Sequence, residues 1–518
     1  MKGKGLIYMA IVLVVFSACK HKQAASSEAP KPMNIVYILA DDLSFRDLSC
    51  YGQKQFETPN IDALAASGAL FSQAYAAASE CAPSRASLLT GLHGGHAPIR
   101  DNSSARGQEY MPDEFITVAE LLKQANYKTG FVGKWGLGLP GTEGVPERQG
   151  FDYSFGFYDQ GRAHTYYPLY LMENGQRIEY PANKGFDMKR RYVMNSSKED
   201  KLLNEYSEDG RIILSELAEP QKAVYSQAEV DKAAFKFLKT CEGQAFFLYY
   251  ATQLPHGPLI IDDLGDMNDN TALPQRQREW AAMVMRLDAF VGDLVAYLKA
   301  SGEYDNTMIF FSSDNGYSMC GYMGRGNRSN NWPDDPYLKN KGPFEGGKFS
   351  VLEGGLRVPL IISCPRLFSQ REIKTPVCLT DFYATAADIA DVEIAYPVDG
   401  KSLLPLLNGA SDADFYNRPM YFFKNTEQAV RLGPWKAYRP NMASPIELYD
   451  VEEDTYCQND LSEAMPEIVK QVEKVMETAH SPHMWYRDPW ESDTDFKFKV
   501  EAARASGTMQ VGVRPNGL

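Results

Sequence analysis

Cys81-Ala82-Pro83-Ser84-Arg85 opens a run of helix formers that continues through Leu88 and Leu89 to Thr90-Gly91. Proline near the start and glycine at the end punctuate a short helix. The spacing predicts Cys81 at the positive end of a helix dipole, with Arg85 about one turn along. Such a place suits an anion or an ionised nucleophile. A second chemistry is offered by Asp41-Asp42 and Asp314-Asn315. Three carboxylates and an amide oxygen are hard donors, which suit Ca2+ and less well Mg2+.

Elements must bring these residues together. Asn34 to Ala40 is an almost unbroken apolar run, the pattern of a strand buried on both faces of a parallel sheet, and it ends in Asp41-Asp42. Three other segments repeat the design. Lys128 to Val132 runs into Gly133-Lys134-Trp135, Ala245 to Ala251 runs towards His256, and Thr307 to Phe311 runs into Ser312-Ser313-Asp314-Asn315-Gly316. In open α/β sheets the ligand crevice lies beyond the carboxyl ends of the strands, so four such ends in one sheet converge on one site. Helical periodicity over Thr117 to Asn126 and Trp280 to Ala300 alternates with the strands and predicts a large doubly wound, mostly parallel α/β domain. Polar and glycine-rich residues 408–417 mark a boundary, giving a catalytic domain over 33–407 and a C-terminal subdomain over 408–518.

Taken in order, these segments resemble the sulfatase family. Cys-x-Pro-Ser-Arg before Leu-Leu-Thr-Gly is that family's signature, and the resemblance runs from Asn34 to about Leu461. It takes in Ala40-Asp41-Asp42, Gly133-Lys134-Trp135, Gly150-Phe151-Asp152, Ser313-Asp314-Asn315-Gly316, Glu353 through Pro359, and Leu448-Tyr449-Asp450. The resemblance implies the alkaline-phosphatase superfold, with a small C-terminal antiparallel sheet and a packed helix over Ala464 to His480. It implies a formylglycine made from Cys81 by a maturation enzyme, and calcium held by Asp41, Asp42, Asp314, Asn315 and position 81. Lys134, His256 and Lys348 resemble the sulfate-binding and proton-transfer residues; Lys348 is placed by its position five before Glu353. One hydroxyl of the hydrated formylglycine would attack the sulfur of the ester while His256 protonates the leaving oxygen, with Arg85 and calcium stabilising charge. The second hydroxyl then expels sulfate.

One position departs from the pattern. The family commonly reads Gly-Lys-Trp-His-Leu-Gly, whereas this chain has Gly136 in place of the histidine. Arg100, Arg162 and His164 are the candidates for substrate contact, the last two within Asp159-Gln160-Gly161-Arg162-Ala163-His164-Thr165-Tyr166-Tyr167. Similar segments in the family go with galactose or N-acetylgalactosamine sulfates, so a sulfated carbohydrate is the implied substrate. Two alternatives stand beside this reading. A phosphoester hydrolase of the same superfold would favour a Ser or Thr nucleophile and zinc ligands, and a catalytically silent binding lipoprotein is suggested only by Gly136.

Composition agrees with an exported enzyme. With 518 residues, 44% of them hydrophobic and 12% aromatic, the chain can bury a large core, which excludes disorder, collagen and coiled coil. A net charge of −14 repels phosphate backbones and argues against a nucleic-acid partner. Lys2 and Lys4 precede an apolar run from Leu6 to Phe16, too short to span a bilayer and suited to a signal peptide over 1–18. Phe16-Ser17-Ala18-Cys19 resembles a bacterial lipobox, although Phe16 stands where leucine is usual. Residues 19–32 read as a flexible tether, so the enzyme is predicted in the periplasm or at the cell surface, held by a lipid on Cys19. The pairing of the remaining cysteines stays open, and the lack of a CxxC spacing gives no support to zinc.

Overall fold

Strand β1 (Asn34–Ala40) is buried at every position. The computed structural model describes residues 32–191, 203–316, 318 and 346–508; the segments read as signal peptide and tether, with Cys19, lie outside them apart from Pro32. After β1 come β2 (Gly68–Tyr75), β3 (Lys128–Lys134), β4 (Tyr153–Phe157), β5 (Tyr170–Glu173) and β6 (Gln176–Glu179). Next are β7 (Phe246–Ala251), β8 (Thr307–Ser313), β9 (Arg357–Ser363), β10 (Arg371–Ile373) and β11 (Val377–Cys378). They form one sheet in the order β10-β2-β9-β8-β1-β7-β3-β4-β5-β6, with β11 also paired to β2. The four strands predicted from the sequence are neighbours at its centre, β8-β1-β7-β3, all parallel.

Alternate residues of these strands feed two cores. Val36, Ile38 and Ala40 face one layer with Leu248, Tyr250, Ile309 and Phe311, covered by the helices Ser226–Lys239 and Gln275–Ala300. Ile35, Tyr37 and Leu39 face the other with Phe247, Tyr249, Met308 and Phe310, covered by the helices Cys81–Thr90 and Asp381–Ala390. This is the doubly wound α/β architecture read from the sequence, because a parallel strand covered on both faces needs apolar side chains on both. The sheet is mixed at its flanks: β2 and β8 pair antiparallel with β9, and β4-β5-β6 is an antiparallel meander.

Element ends differ from the sequence reading by a few residues. The predicted helix over Thr117 to Asn126 is Val118–Lys123, with Thr117 as its cap: the Thr117 hydroxyl accepts from Glu120 N and the Glu120 carboxylate accepts from Thr117 N. The helix predicted from Trp280 starts at Gln275, just after Pro274, and the C-terminal helix is Pro466–Thr478.

Strands β12 (Met420–Lys424), β13 (Glu427–Leu432), β14 (Trp435–Arg439) and β15 (Glu447–Asp450) make a separate antiparallel sheet. One face carries Val472 and Met476 of the helix; Met420, Phe422, Ala429 and Tyr438 pack on Tyr75, Ala77, Val351 and Leu352. The two sheets thus share a core, and Pro32–Leu518 forms one compact unit. Beyond the helix the chain folds back: Ala105 N donates to Trp485 O at 2.8 Å, and the Arg106 guanidinium lies 4.9 Å from the Trp485 ring. Cys50, Cys81, Cys241, Cys364, Cys378 and Cys457 are all free thiols. Among the described residues no helix is long and apolar enough to cross a membrane.

Candidate active site

Four strand ends, of β1, β3, β7 and β8, and one helix start meet at a point. Asp41 N donates to Leu254 O at 2.9 Å and Asp314 N to Ala40 O at 3.0 Å, so the loops after β1, β7 and β8 are laced together. Asp42 adopts a left-handed φ of 68°, which turns the chain off the strand, and its N–H donates to Asp314 Oδ1 at 3.2 Å. Cys81 is the first residue of its helix. Gly91 closes that helix at φ 72°, where a Cβ would stand 2.8 Å from Tyr383 Cβ. Glu80 makes no side-chain cap; instead Asn102 Oδ1 accepts from Ala82 N at 2.9 Å.

Around Cys81 the charges alternate. Lys134 Nζ is 2.6 Å from Asp41 Oδ2 and Lys348 Nζ is 2.7 Å from Asp42 Oδ1. Arg85 donates to Asp314 Oδ2 through Nε at 2.9 Å and Nη2 at 2.8 Å, and to the Lys134 carbonyl through Nη1 at 2.7 Å. Burial pushes Asp41 up, but Lys134, His256, Arg85 and Lys348 outweigh it and hold the carboxyl well below the usual range. Asp314 goes the other way, to about 6, because burial and the Asp41 charge exceed the pull of Arg85. Burial likewise raises the Cys81 thiol, with Asp314 and Asp41 adding to the effect. Burial and these carboxylates thus oppose the ionised form that a helix start favours, and Cys81 Sγ donates to Asp41 Oδ1 at 3.3 Å.

His256 Nδ1 faces the Gly257 carbonyl, which only accepts, so the proton sits on Nδ1 and Nε2 is free to accept. Lys348 Nζ lies 3.0 Å from that Nε2 and 3.3 Å from Cys81 Sγ. Burial holds His256 down to about 4, against the opposing charge of Asp42. The Lys348 pKa rises well above its usual value, since Asp42 and its acidic neighbours overcome burial.

A divalent cation fits this donor set. Asn315 Nδ2 donates to Asp42 Oδ1 at 2.7 Å and to Gly316 O at 3.1 Å, which leaves Asn315 Oδ1 buried with no hydrogen-bond partner among the described residues. Asp41, Asp42, Cys81 and His256 each offer a ligand atom within 4.8 Å of one another. An orphaned amide oxygen beside three buried carboxylates is a hard-cation arrangement.

The other residues singled out from the sequence divide. His164 lies at this site, its Nε2 3.4 Å from Lys134 Nζ and its ring stacked at 3.9 Å on His256. Arg162 shares the short turn Arg162–His164, with its guanidinium 5.0 Å from the Tyr170 ring. Arg100 is 6% exposed and occupied elsewhere: it donates to Ala97 O at 3.0 Å and Ser481 O at 2.6 Å, and lies 3.8 Å from Asp488. His93 and His96 both face Asp399, with Nε2 of His93 at 3.6 Å and Nδ1 of His96 at 3.0 Å. Sequence reasoning missed Glu80, Asn102 and Lys424. Lys424, from β12, forms ion pairs with Glu80 and Asp101 beside the start of the Cys81 helix. No local pattern marks a lysine whose partners lie so far back along the chain.

Comparison with known proteins gives the family. The sulfatase family model matches residues 33–392. The N-acetylgalactosamine-6-sulfatase of Canis lupus familiaris is 32% identical over 447 residues, covering 82% of this chain and 75% of that protein. The N-acetylgalactosamine-6-O-sulfatase of Bacteroides thetaiotaomicron is 26% identical, over 90% and 97% of the two chains. Among solved structures, Ps i-CgsB in complex with k-i-k-neocarrahexaose matches with a TM-score of 0.70 and 26% identity, covering 93% of this chain and 100% of that one. A family match across most of the chain, on the residues that surround Cys81, makes this protein a member of the sulfatase family and a hydrolase of sulfuric esters.

Proposed function

We propose that the chain removes sulfate from O-sulfated carbohydrate, with galactose or N-acetylgalactosamine sulfate as the favoured substrate, using a formylglycine at position 81 and Ca2+. The observation that carries this reading is the meeting of Cys81 with three buried carboxylates, the orphaned Asn315 oxygen and the cations Lys134, Lys348 and Arg85. The names of the dog and Bacteroides relatives support the sugar.

Asp41, Asp42, Asp314 and Asn315 would hold the cation. The hydrated aldehyde supplies an oxygen nucleophile, and the cation supplies the charge that favours its ionised form. Lys134 and Lys348 bind the sulfate oxygens, Lys134 being kept in place by Asp41 and Lys348 by Asp42. Arg85 holds Asp314 and the Lys134 backbone in register. We assign His256 the transfer of a proton to the departing sugar oxygen through Nε2, which takes up that proton only once the anionic sulfate ester is bound, because in the resting site the proton is on Nδ1 and Nε2 accepts from the Lys348 ammonium. Export through residues 1–18, anchoring through a lipid on Cys19 and processing by a formylglycine-generating enzyme complete the proposal.

The test is sulfate release from a panel of sulfated monosaccharides and oligosaccharides by protein produced with the maturation enzyme, alongside the mass of the peptide containing position 81. An aldehyde mass with release from a galactose-type sulfate is the expected result. Release from an aryl sulfate alone overturns the carbohydrate assignment, and an intact thiol in active protein overturns the formylglycine.

A further inference from the structure

Gly136 has a left-handed φ of 75°, and a Cβ built there would stand 2.3 Å from Gln160 Oε1. The side-chain amide of Gln160 therefore occupies the space that any larger residue at position 136 would claim. Gln160 is 7% exposed, and among the described residues neither its Oε1 nor its Nε2 has a hydrogen-bond partner. Its backbone N–H donates to Gln108 Oε1 at 3.0 Å, and the Gln108 Nε2 is buried and unpartnered as well. Buried polar groups in folded proteins almost always find partners, so a donor and an acceptor left open on one buried amide call for a ligand that supplies both.

The place is beside the sulfate pocket. Gly136 lies two residues beyond Lys134, and its N–H donates to Tyr158 O at 3.2 Å, which ties it to the segment carrying Gln160. Four residues after Gln160, His164 Nε2 comes within 3.4 Å of Lys134 Nζ. A sulfate oxygen only accepts hydrogen bonds, whereas a sugar hydroxyl both donates and accepts. An uncharged amide exchanges no proton near neutral pH, so Gln160 cannot take over proton transfer from an imidazole at 136.

We propose that the Gln160 amide, seated in the space left open by Gly136, is a specificity-determining residue that binds a hydroxyl of the sugar carrying the sulfate. This rests on the carbohydrate reading above. The absence of a side chain at 136 and the presence of Gln160 are then one feature: a histidine at 136 would displace the amide and remove the hydroxyl contact.

The test compares wild type, Gln160→Ala and Gly136→His on the best sulfated saccharide of the panel, on its monodeoxy analogues and on a small aryl sulfate, with thermal melting to verify folding. Both variants should lose more kcat/KM on the saccharide than on the aryl sulfate, by at least about tenfold, the order expected when a site built to hydrogen-bond a hydroxyl loses that contact. In wild type, one deoxy analogue should be a poorer substrate by a similar factor, and Gln160→Ala should no longer discriminate against it. Because that last comparison is made within each enzyme, it holds even if a variant is partly unfolded. Equal losses on saccharide and aryl sulfate, or unchanged discrimination among deoxy analogues in Gln160→Ala, overturn the proposal while leaving the carbohydrate reading intact. Failure of wild type to desulfate any saccharide overturns that reading and this inference together.

Discussion

Three partners surround the Lys348 ammonium: the Asp42 carboxylate, His256 Nε2 and Cys81 Sγ. A side chain so committed is one part of a charge network in which removing any member exposes the others. Two residue-scale predictions come from this network. Cys81→Ala should abolish sulfate release while costing only about 1 kcal/mol or less of stability, because one buried sulfur is replaced by hydrogen. Turnover in a preparation free of wild-type enzyme would sink the role of position 81. Asp314→Asn keeps an acceptor for Arg85 but removes a negative charge from the cation site. Calcium content by elemental analysis and turnover should fall together, turnover by more than about 10²-fold. A variant with wild-type calcium and wild-type rate would disprove the ligand set.

At the scale of elements, the link between the two sheets is an ion cluster. Glu353, at the start of a short turn before β9, accepts from Arg357 Nη2 at 2.7 Å and from Tyr75 Oη at 2.9 Å, and lies 3.4 Å from Lys436 Nζ on β14. Burial pushes Glu353 up, but Arg357, Lys436 and Arg431 hold it down to about 2. A folded-state value below the unfolded one, about 4.3, means that the unfolded chain binds the extra proton as acid is added. This contribution to stability is therefore complete above the unfolded value and is lost as pH falls towards about 2. Glu353→Gln should cost about 3–5 kcal/mol at neutral pH, because it leaves Arg357 and Lys436 buried without their countercharge. Denaturant titrations at pH 7 and pH 3 should show that the penalty shrinks in acid; a constant penalty would refute the ionic origin.

Over the whole molecule, the C-terminal segment matters to the site through its grip on the loop that follows the Cys81 helix. Ser481 O and Asp488 engage Arg100, Ser481 Oγ donates to Gly95 O at 3.0 Å, and Trp485 O holds Ala105. Asn102, which bonds to Ala82 N, sits in that loop. Truncation after His480 should lower the melting temperature by several degrees and reduce turnover on every substrate, since the loop that carries Asn102 loses the contacts of Ser481, Trp485 and Asp488 that hold it. Wild-type melting and kinetics in the truncated protein would show the segment to be dispensable.

Much of this protein was legible in its sequence. The four central strands, the helix that starts at Cys81 and the polar groups past each strand end depend on runs of neighbouring residues, through apolar periodicity and on Pro and Gly at the ends of the helix. Tertiary structure alone decided other things. It engaged Arg100 with Ser481, brought Lys424 to Glu80 from β12, set the Gln160 amide against Gly136, and raised the pKa of the Cys81 thiol through burial and the charges of Asp314 and Asp41. Each of those outcomes is a contact between segments far apart in the chain, or a pKa set by burial and by charges brought in from other loops. Local pattern carries backbone conformation because its causes lie within a few residues; pairing and pKa have causes that exist only once the chain has crossed itself.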